Sequence, residues 1–528
     1  MSGEARQSEK RKFLAIKGVR DILPPESALW NRVEQTAREV FATYNFGEIR
    51  LPLFEQVDLF YRSIGAETDI VNKEMYYFQD RPLPQLEALR NTVRYMPALP
   101  EIPRALELFM DGVKRFRQSL EAGLKAGEVP RHDLNRTVIL NLDNEITKLE
   151  QLLASERSPE NQHILSLVAT SLKRHAGILH LGEPLALRPE ATASVCRAYI
   201  EHGMHTLPGN VKLYYIGPMF RRERPQKGRF RQFYQIGAEV LGQSDAPAID
   251  AEVIEMLMEF FKQIGLNGTT LYINSIGCQE CRPAYVAQLR EALTKVKDKL
   301  GADSQRRIET NPLRVLDSKL PEEQAIIEKL PRIADHLCAA CRDHFARVQE
   351  ELKQRGVAYE VSWRLVRGLD YYMRTTFEIT APGLGAQNAV CGGGRYDGLV
   401  ELLGGPPTKG IGFAIGTDRV ILALQEARKG ETRSHVDVFV AWMGANAYPA
   451  AVRLARQLRA EHFAVEIPPE ETKLKKSLGL ADKLGARYAL IVGEDEVSSG
   501  QFTLKRLADG EQKKLTEEQL IEHLKSAG

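Results

Sequence analysis

Two long apolar segments bracket a short, strongly basic segment near the middle of the chain, and this arrangement restricts the local fold more than any other feature. The flanking runs "KLYYIGP" and "FYQIGAEVLG" are rich in β-branched and aromatic residues, as strands are. Residues 221–231 between them carry six positive charges and one negative charge. The sequence therefore predicts a β-hairpin whose arms lie in a sheet and whose loop presents clustered cations.

The composition restricts the kind of protein that carries this hairpin. The chain has 528 residues, of which 43% are hydrophobic and 27% charged, so we expect several globular domains. The net charge of +2 excludes nucleic-acid binding through overall charge and leaves only local basic patches. No run reaches the ~18 apolar residues of a membrane span, and the first residues lack a signal core. We therefore expect a cytoplasmic protein with no membrane partner.

The segments on either side of a long polar stretch predict parts of one sheet. Apolar residues spaced by three and four predict a helix over 25–45, and "GEIRLPLFEQ" predicts a strand that contains Pro52. The segments 73–80 and 184–193 are predicted to pair as antiparallel strands. Between them, 82–182 carries helical apolar stripes and is predicted to be a helical insertion at a hairpin tip.

Four of the six cysteines form the pairs "CQEC" and "CAAC". Two such pairs offer four thiolates to one tetrahedral ion, which predicts a zinc site if the fold brings the pairs together. Unligated structural thiols and a redox pair remain alternatives, and a reducing compartment argues against disulfides. The four residues are Cys278, Cys281, Cys338 and Cys341.

Strand patterns resume at "AYEVSWRLVRG", "TTFEITAP" and "NAVCGGGRYD", and "GIGFAIGTDRVILALQEA" passes from a glycine-rich strand into a helix. After the polar linker 428–435, strands and helices alternate, which predicts a separate α/β domain.

Arg221, Arg367 and Arg419 stand beside glycines or at strand ends. Each alone is more often a salt-bridged surface residue, but together they predict a polyphosphate site. No P-loop or dinucleotide-binding glycine pattern is present.

Several longer motifs resemble those of class II aminoacyl-tRNA synthetases, and specifically of the histidyl-tRNA synthetase family. "IRLPLFEQVDLF", "GPMFRRERPQKGRFRQFYQIGAEVLG" and "GIGFAIGTDR" are similar to the three class II motifs. "LVRGLDYYMRTTFE" and "CGGGRYDGL" resemble two signatures of the histidine enzymes. The resemblance implies an α/β (α+β) fold: an antiparallel sheet flanked by helices, inserted helical segments and a C-terminal α/β anticodon-binding domain.

The resemblance and the predicted elements together divide the chain into six segments. These are a catalytic core at 1–81, 183–276 and 358–428, the helical insertion at 82–182, an inserted domain with both cysteine pairs at 277–357, and the anticodon-binding domain at 435–528.

The resemblance also implies an activity and its partners. Members of this family activate L-histidine with ATP and Mg²⁺ to histidyl-adenylate and transfer histidine to the 3′ end of tRNA(His), as homodimers with the segment around Pro52 at the dimer contact. It implies Arg221 and Arg367 as the catalytic cations. The implied ATP-binding residues are Arg221, Glu223, Arg229 and Arg419.

A further set of residues is implied to bind histidine. Glu190 and Thr192 would hold the ammonium group, Gln235 and Arg367 the carboxylate, and Glu239 and Tyr372 the imidazole, with Tyr371 also in the set. From the residues alone, Glu239 could equally be a buried strand carboxylate and Tyr372 a core aromatic.

Two other functions stay open at this point. A regulatory relative would keep the fold and sense histidine or uncharged tRNA without catalysis, but such proteins typically lose the ATP arginines or the C-terminal domain. A class II synthetase for another amino acid is the second alternative, and "RGLDYY" and Glu239 argue against it.

Overall fold

The computed structural model describes residues 13–65, 70–80, 183–385, 388–427 and 436–526, with Thr68 and single positions within 110–151. The chain divides into two compact units, Met1–Ala427 and Arg428–Gly528. Apart from those single positions, the predicted helical insertion lies outside the described residues, as does the polar linker.

The first unit is built on an eight-stranded sheet. The described strands of this unit, β1 to β11 in chain order, are Gly47–Glu48, Phe54–Gln56, Tyr77–Asp80, Glu183–Leu187, Val211–Phe220, Gln232–Gly242, Thr270–Ser275, Glu360–Val361, Met373–Thr380, Ala389–Arg395 and Lys409–Gly416. The large sheet has the order β1-β5-β6-β11-β10-β9-β7-β8, and it is antiparallel except where β1 joins β5 and β8 joins β7. This arrangement confirms the predicted class II type of sheet.

Helices cover one face of this sheet. The described helices of the first unit, α1 to α10, are Glu26–Thr43, Val57–Ile64, Thr192–Glu201, Pro247–Gln263, Arg282–Thr294, Ala302–Thr310, Pro321–Ile327, Ala339–Gln354, Leu399–Leu402 and Thr417–Ala427. Side chains of α1, α4, α8 and α10 form the main core with Ile236, Ala238 and Val240 of β6. Successive side chains of a strand point to opposite faces, so Gln235 and Glu239 lie on the other face.

The basic hairpin forms as predicted. Its arms β5 and β6 pair antiparallel from Val211 opposite Leu241 to Phe220 opposite Gln232. The cationic residues 221–231 therefore form the loop that joins the second and third strands of the sheet.

Two predicted strands are much shorter in the structure. The segment "GEIRLPLFEQ" gives only β1 and β2, with Pro52 between them, because proline lacks an N–H donor and the Leu51 and Pro52 carbonyls instead accept hydrogen bonds from Arg188 (2.9 and 3.1 Å). In the predicted strand 358–368, only β8 forms. There the side-chain amide of Asn274 donates hydrogen bonds to the Trp363 and Leu365 carbonyls, so these carbonyls do not pair with a neighbouring strand.

The predicted pairing of 73–80 with 184–193 is confirmed over a shorter length. In a three-stranded sheet of order β2-β4-β3, Tyr77 lies opposite Ala186 and Asp80 opposite Glu183. The strand ends at Leu187, so Glu190 lies in the turn into α3 and Thr192 is the first residue of α3, and neither is on a strand arm.

The second unit has its own α/β fold, as predicted. Its strands, β12 to β16, are Val436–Trp442, Val465–Glu466, Ala486–Val492, Phe502–Arg506 and Gln512–Leu515. Its helices, α11 to α14, are Ala447–Ala460, Leu474–Lys483, Glu494–Ser499 and Glu517–Ser526. The strand order is β13-β12-β14-β15-β16, parallel among the first three and antiparallel at β15 and β16. Nowhere in the described part of the chain is a helix long and apolar enough to cross a membrane.

Candidate active site

A cavity of about 240 Å³ opens on the large sheet. Ten of the residues predicted to bind ATP or histidine line it together: Glu190, Thr192, Arg221, Glu223, Arg229, Gln235, Arg367, Tyr371, Tyr372 and Arg419. They come from the hairpin, the turn into α3, the 366–372 segment and the start of α10. The fold thus brings residues separated by more than two hundred positions into one site.

Backbone carbonyls hold two of the three predicted phosphate-binding arginines. Arg221 Nε donates to the Pro189 carbonyl (2.9 Å), and the guanidinium lies 5.2 Å from the Phe233 ring centre. Arg419 donates to the carbonyls of Ala389 (2.8 Å) and Gly228 (3.3 Å). Because carbonyls rather than carboxylates are their close hydrogen-bond partners here, both groups keep most of their charge available for an anion.

Arg367 lies flat against a glycine of the neighbouring strand. A Cβ at Gly392 would come within 2.3 Å of the Arg367 Nη atoms, so only glycine leaves room for the guanidinium. Arg367 Nη1 contacts Glu378 Oε2 at 3.2 Å, while its buried Nε has no hydrogen-bond partner among the described residues. Buried N–H groups are normally satisfied, so this donor favours a ligand in the cavity.

The positive charges of Arg221, Arg229 and Arg419 repel one another, because all three side chains line the same cavity. Burial lowers the pKa of Arg419, and the nearby charge of Arg229 lowers it further. Glu223 partly offsets this charge, since its carboxylate lies 3.2 Å from Arg229 and 4.0 Å from Arg221. A polyanion between these groups would relieve the repulsion.

Glu239 is the one predicted histidine-binding residue that does not line the cavity. It is 1% exposed and lies behind Thr192, whose hydroxyl donates to it at 2.8 Å. The Tyr396 hydroxyl donates to its other oxygen at 2.6 Å. Burial raises the pKa of Glu239 to about 8, although both hydrogen bonds lower it.

Glu190 organises the turn that carries Thr192. Its carboxylate accepts hydrogen bonds from the backbone N–H groups of Thr192 (2.7 Å) and Ala193 (3.0 Å), at the start of α3. Burial raises the pKa of Glu190, although these N–H groups act in the opposite direction. The Tyr371 and Tyr372 rings, 4.7 Å apart, form the adjacent wall.

Sequence reasoning missed four polar residues of this site. Tyr396 supports Glu239, and Glu378 pairs with Arg367. Asp418 accepts hydrogen bonds from the Tyr234 backbone N–H (2.9 Å) and from Arg20 (3.3 Å), which joins the N-terminal segment to the hairpin. Tyr396, Glu378 and Asp418 had a usable signal, because they lie within the motifs "CGGGRYDGL", "LVRGLDYYMRTTFE" and "GIGFAIGTDR", whereas Arg20 lies outside them.

The four predicted metal-binding cysteines lie together outside the cavity. All four sulfur atoms are within 4.8 Å of one another, with separations of 3.7 Å for Cys278–Cys281 and 3.9 Å for both Cys278–Cys338 and Cys281–Cys341. Disulfide sulfurs would be about 2 Å apart, so none is formed. A tetrahedral zinc site with Zn–S bonds of about 2.3 Å requires sulfur separations of about 3.8 Å.

The backbone around the cluster also suits a metal. Cys281 and Cys338 immediately precede α5 and α8, so two helix N-termini face the sulfurs and favour thiolates. Gly277 has φ +70°, and a Cβ there would lie 2.9 Å from the Cys281 sulfur. Burial raises the pKa of Cys278, but hydrogen bonds from the N–H groups of Cys281 and Glu280 outweigh this and lower it to about 7.

Comparison with known proteins agrees with these features. The family described as histidyl-tRNA synthetase matches residues 168–420, and the anticodon binding domain matches 437–527. A histidine–tRNA ligase of Koribacter versatilis is 45% identical over 97% of this chain and 96% of its own length. One from Solibacter usitatus is 43% identical over 97% and 99%.

A solved structure shows the same overall likeness. The apo histidyl-tRNA synthetase of S. aureus superposes with a TM-score of 0.63 at 29% identity, covering 97% of this chain and 100% of that protein. With the cavity, the motifs and these full-length relatives in agreement, the chain belongs to the histidyl-tRNA synthetase family of class II aminoacyl-tRNA synthetases.

Proposed function

We propose that this protein activates L-histidine with ATP to histidyl-adenylate and then transfers histidine to the 3′ end of tRNA(His). The observation that carries the proposal is the cavity in which Arg221, Arg367 and Arg419 meet beside a buried carboxylate floor. The arginines suit a triphosphate, and the carboxylates and tyrosines suit an amino acid with a polar ring.

Activation must bring two anions together, the histidine carboxylate and the α-phosphate. In this proposal, Arg221 holds the α-phosphate, Arg419 the γ-phosphate, and Arg367 lies between the carboxylate and the α-phosphate. Glu223 and Arg229, 3.2 Å apart, fix the bent shape of ATP. The protein forms no covalent intermediate, because orientation and fixed positive charge are enough to lower the barrier.

Mg²⁺ would accompany ATP, and the cavity offers suitable ligands. Glu223 and Glu378 both line it, and Mg²⁺ usually takes one or two protein carboxylates together with phosphate oxygens. The ion would offset phosphate charge, while Arg367 supplies charge at a place where some related enzymes use a metal.

Histidine would lie between the tyrosine wall and the turn into α3. Gln235 and Arg367 would bind its carboxylate, and Glu190 and Thr192, which line the same cavity, would bind its ammonium group. Tyr372 and Glu239 would hold the two ring nitrogens, and Tyr371 lines the same wall. The imidazole N–H would bind a Glu239 oxygen that already accepts a hydrogen bond from the Thr192 or the Tyr396 hydroxyl.

Pyrophosphate exchange tests the proposed activity directly. Purified protein incubated with ATP, Mg²⁺, labelled pyrophosphate and each of the twenty amino acids separately is expected to form labelled ATP only with histidine. Exchange with another amino acid would assign a different synthetase. No exchange with any amino acid, in a protein that binds histidine, would favour the regulatory alternative.

Glu239→Gln is expected to remove a pH dependence of histidine binding. Because the pKa of Glu239 is raised to about 8, most molecules near pH 7 hold a neutral carboxyl, and a carboxylate accepts an imidazole N–H more strongly than a neutral carboxyl does. The histidine KM of the wild type should therefore fall from pH 7 to about 8.5. The variant should have a higher, flat histidine KM and an unchanged ATP KM. If the histidine KM of the wild type and of Glu239→Gln depends on pH in the same way, Glu239 has only a structural role.

The tRNA would contact both units. The cationic loop of the hairpin borders the cavity and would guide the acceptor end, and the second unit matches an anticodon-binding domain. We place the protein in the cytoplasm, where its substrates occur.

The protein is also expected to form a homodimer through the segment around Pro52. Leu53 and Phe54 beside it are about half exposed (47% and 52%), and exposed apolar clusters commonly mark interfaces. Light scattering should give twice the mass of 59.4 kDa for one chain. An active monomer would contradict this assignment.

Zn²⁺ is proposed at the cysteine cluster, where the sulfur separations and helix N-termini fit a structural tetrahedral site. It would fasten the start of α5 to the start of α8, two elements separated by more than forty residues.

A further inference from the structure

The cysteine cluster and the tyrosine wall of the histidine pocket belong to one buried core. Cys278, Cys281 and Cys341 belong to the same buried core as Tyr372, with Tyr371 packed against its edge. The opposite side of Tyr372 faces the cavity, where the Arg367 guanidinium lies 5.6 Å from its ring centre. A displacement of the cluster would therefore shift Tyr372, the tyrosine proposed to hold the imidazole.

Three hydrogen bonds connect this wall to the first cysteine pair. Arg282, the residue after Cys281, donates from Nη1 to the Tyr372 carbonyl at 2.6 Å. Two residues after Tyr372, the Arg374 backbone N–H donates to the Gly277 carbonyl and the Arg374 carbonyl accepts from the Ile276 N–H, both at 2.8 Å. Gly277 immediately precedes Cys278, so the chain on both sides of the first C-x-x-C pair is tied to the Tyr372–Arg374 segment.

The tied segment needs this support. Arg374 has φ +49°, a left-handed conformation that is uncommon for a residue with a side chain and persists where neighbours enforce it. Its side chain is held separately by Asp245 at 2.6 Å. A zinc ion with four thiolates carries a net negative charge, which would hold the Arg282 cation in place.

We propose that the metal-loaded cysteine cluster positions the histidine pocket, with Arg282 as the positioning residue that links it to Tyr372. Arg282 does not touch the substrates and acts through the Tyr372 carbonyl. Its loss should weaken histidine binding and leave ATP binding intact. The proposal rests on the proposed function, since it concerns the affinity of the same pocket for histidine.

Arg282→Ala tests this link in the full-length, zinc-loaded protein. Its histidine KM in pyrophosphate exchange is expected to rise about tenfold, the effect of a lost charge-assisted hydrogen bond. The ATP KM and the zinc content should stay at the wild-type values. Arg282→Lys keeps a cationic donor and should recover most of the loss, which a purely structural role would not predict.

Arg342→Ala is the matched control. Arg342 follows Cys341 as Arg282 follows Cys281, but it donates to the carbonyl of Leu337, which does not line the cavity. Its histidine KM should stay within about twofold of the wild type. An equal rise in both variants would show general loosening of the cluster and overturn the proposal.

Removal of the metal gives a second, independent measurement. Calorimetry on chelator-treated wild type should show weaker histidine binding and unchanged nucleotide binding. An unchanged histidine Kd after chelation, or purified protein with far less than one zinc per chain, refutes the role of the metal. If Arg282→Ala does not fold, this calorimetric measurement alone decides the proposal. Unchanged histidine KM in a folded Arg282→Ala refutes the link. Wild type that shows no histidine-dependent exchange instead refutes the proposed function.

Discussion

Replacing Arg367 with alanine is expected to lower histidine-dependent pyrophosphate exchange by about a hundredfold or more, the cost of removing a preorganised charge from a developing anion. The guanidinium lies on Gly392 and contacts Glu378, so its position is set before substrate arrives, and its buried Nε has no hydrogen-bond partner in the described part of the chain. Its loss also leaves Glu378 unpaired in the cavity, which adds repulsion toward phosphate. Single-turnover formation of histidyl-adenylate measures the effect on the chemical step.

Two further variants separate charge from geometry in this experiment. Arg367→Lys keeps the charge but not the planar pair of donors, so an intermediate rate is expected. Arg364→Ala, three residues earlier, removes a guanidinium that bonds to Leu316 and Gln324 away from the cavity. It should keep exchange near the wild-type rate. An Arg367→Ala rate within about threefold of the wild type would contradict the assigned role.

Local patterns were sufficient to predict the parts of the site that lie on continuous strands. The hairpin arms are apolar runs rich in β-branched and aromatic residues, and "GIGFAIG" combines β-branched residues with glycines, so β5, β6 and β11 were predictable. Motif register then placed Arg221, Gln235 and Arg419 in one group. The structure confirms that they line one cavity.

Contacts between distant segments could not be predicted from patterns. Glu239 was expected to face histidine directly, but it lies behind Thr192 and accepts a hydrogen bond from Tyr396, 157 positions later. Nothing in the strand sequence reveals either partner. Likewise, the C-x-x-C spacing identified each cysteine pair, but only the packing of α5 and α8 shows that the pairs meet.

The predicted lengths of two strands were wrong for a related reason. The segments around Pro52 and after Val361 have strand-like composition, yet side chains from elsewhere, Arg188 and Asn274, bind their carbonyls. A backbone acceptor satisfied by a distant side chain no longer needs a neighbouring strand. The second of these irregular segments carries Arg367, so the departure from regular structure is what lets this residue reach the cavity.

Asp250→Ala is expected to destabilise the first unit by about 3–5 kcal/mol, because it breaks a buried ion pair. Arg395 and Asp250 have side-chain exposures of 1% and 0%, and Nε lies 2.9 Å from Oδ1. Asp397 also binds Arg395 at 2.7 Å but cannot replace both contacts. Urea unfolding followed by circular dichroism measures the loss.

The size of this effect should depend on burial and not on the formation of an ion pair as such. Asp303→Ala breaks a pair of similar length, 3.1 Å to Arg306, whose side chains are 73% and 54% exposed, and should cost less than about 1 kcal/mol. Adding Arg395→Met and Asp397→Asn to Asp250→Ala removes the unpaired cation without leaving Asp397 as an unpaired buried carboxylate, and should restore part of the stability. If the triple variant is no more stable than Asp250→Ala, the cost comes from lost packing and not from an unpaired buried cation. Since Arg395 follows the glycines of β10 on which Arg367 lies, the buried pair would then matter to the site only through the shape of that strand.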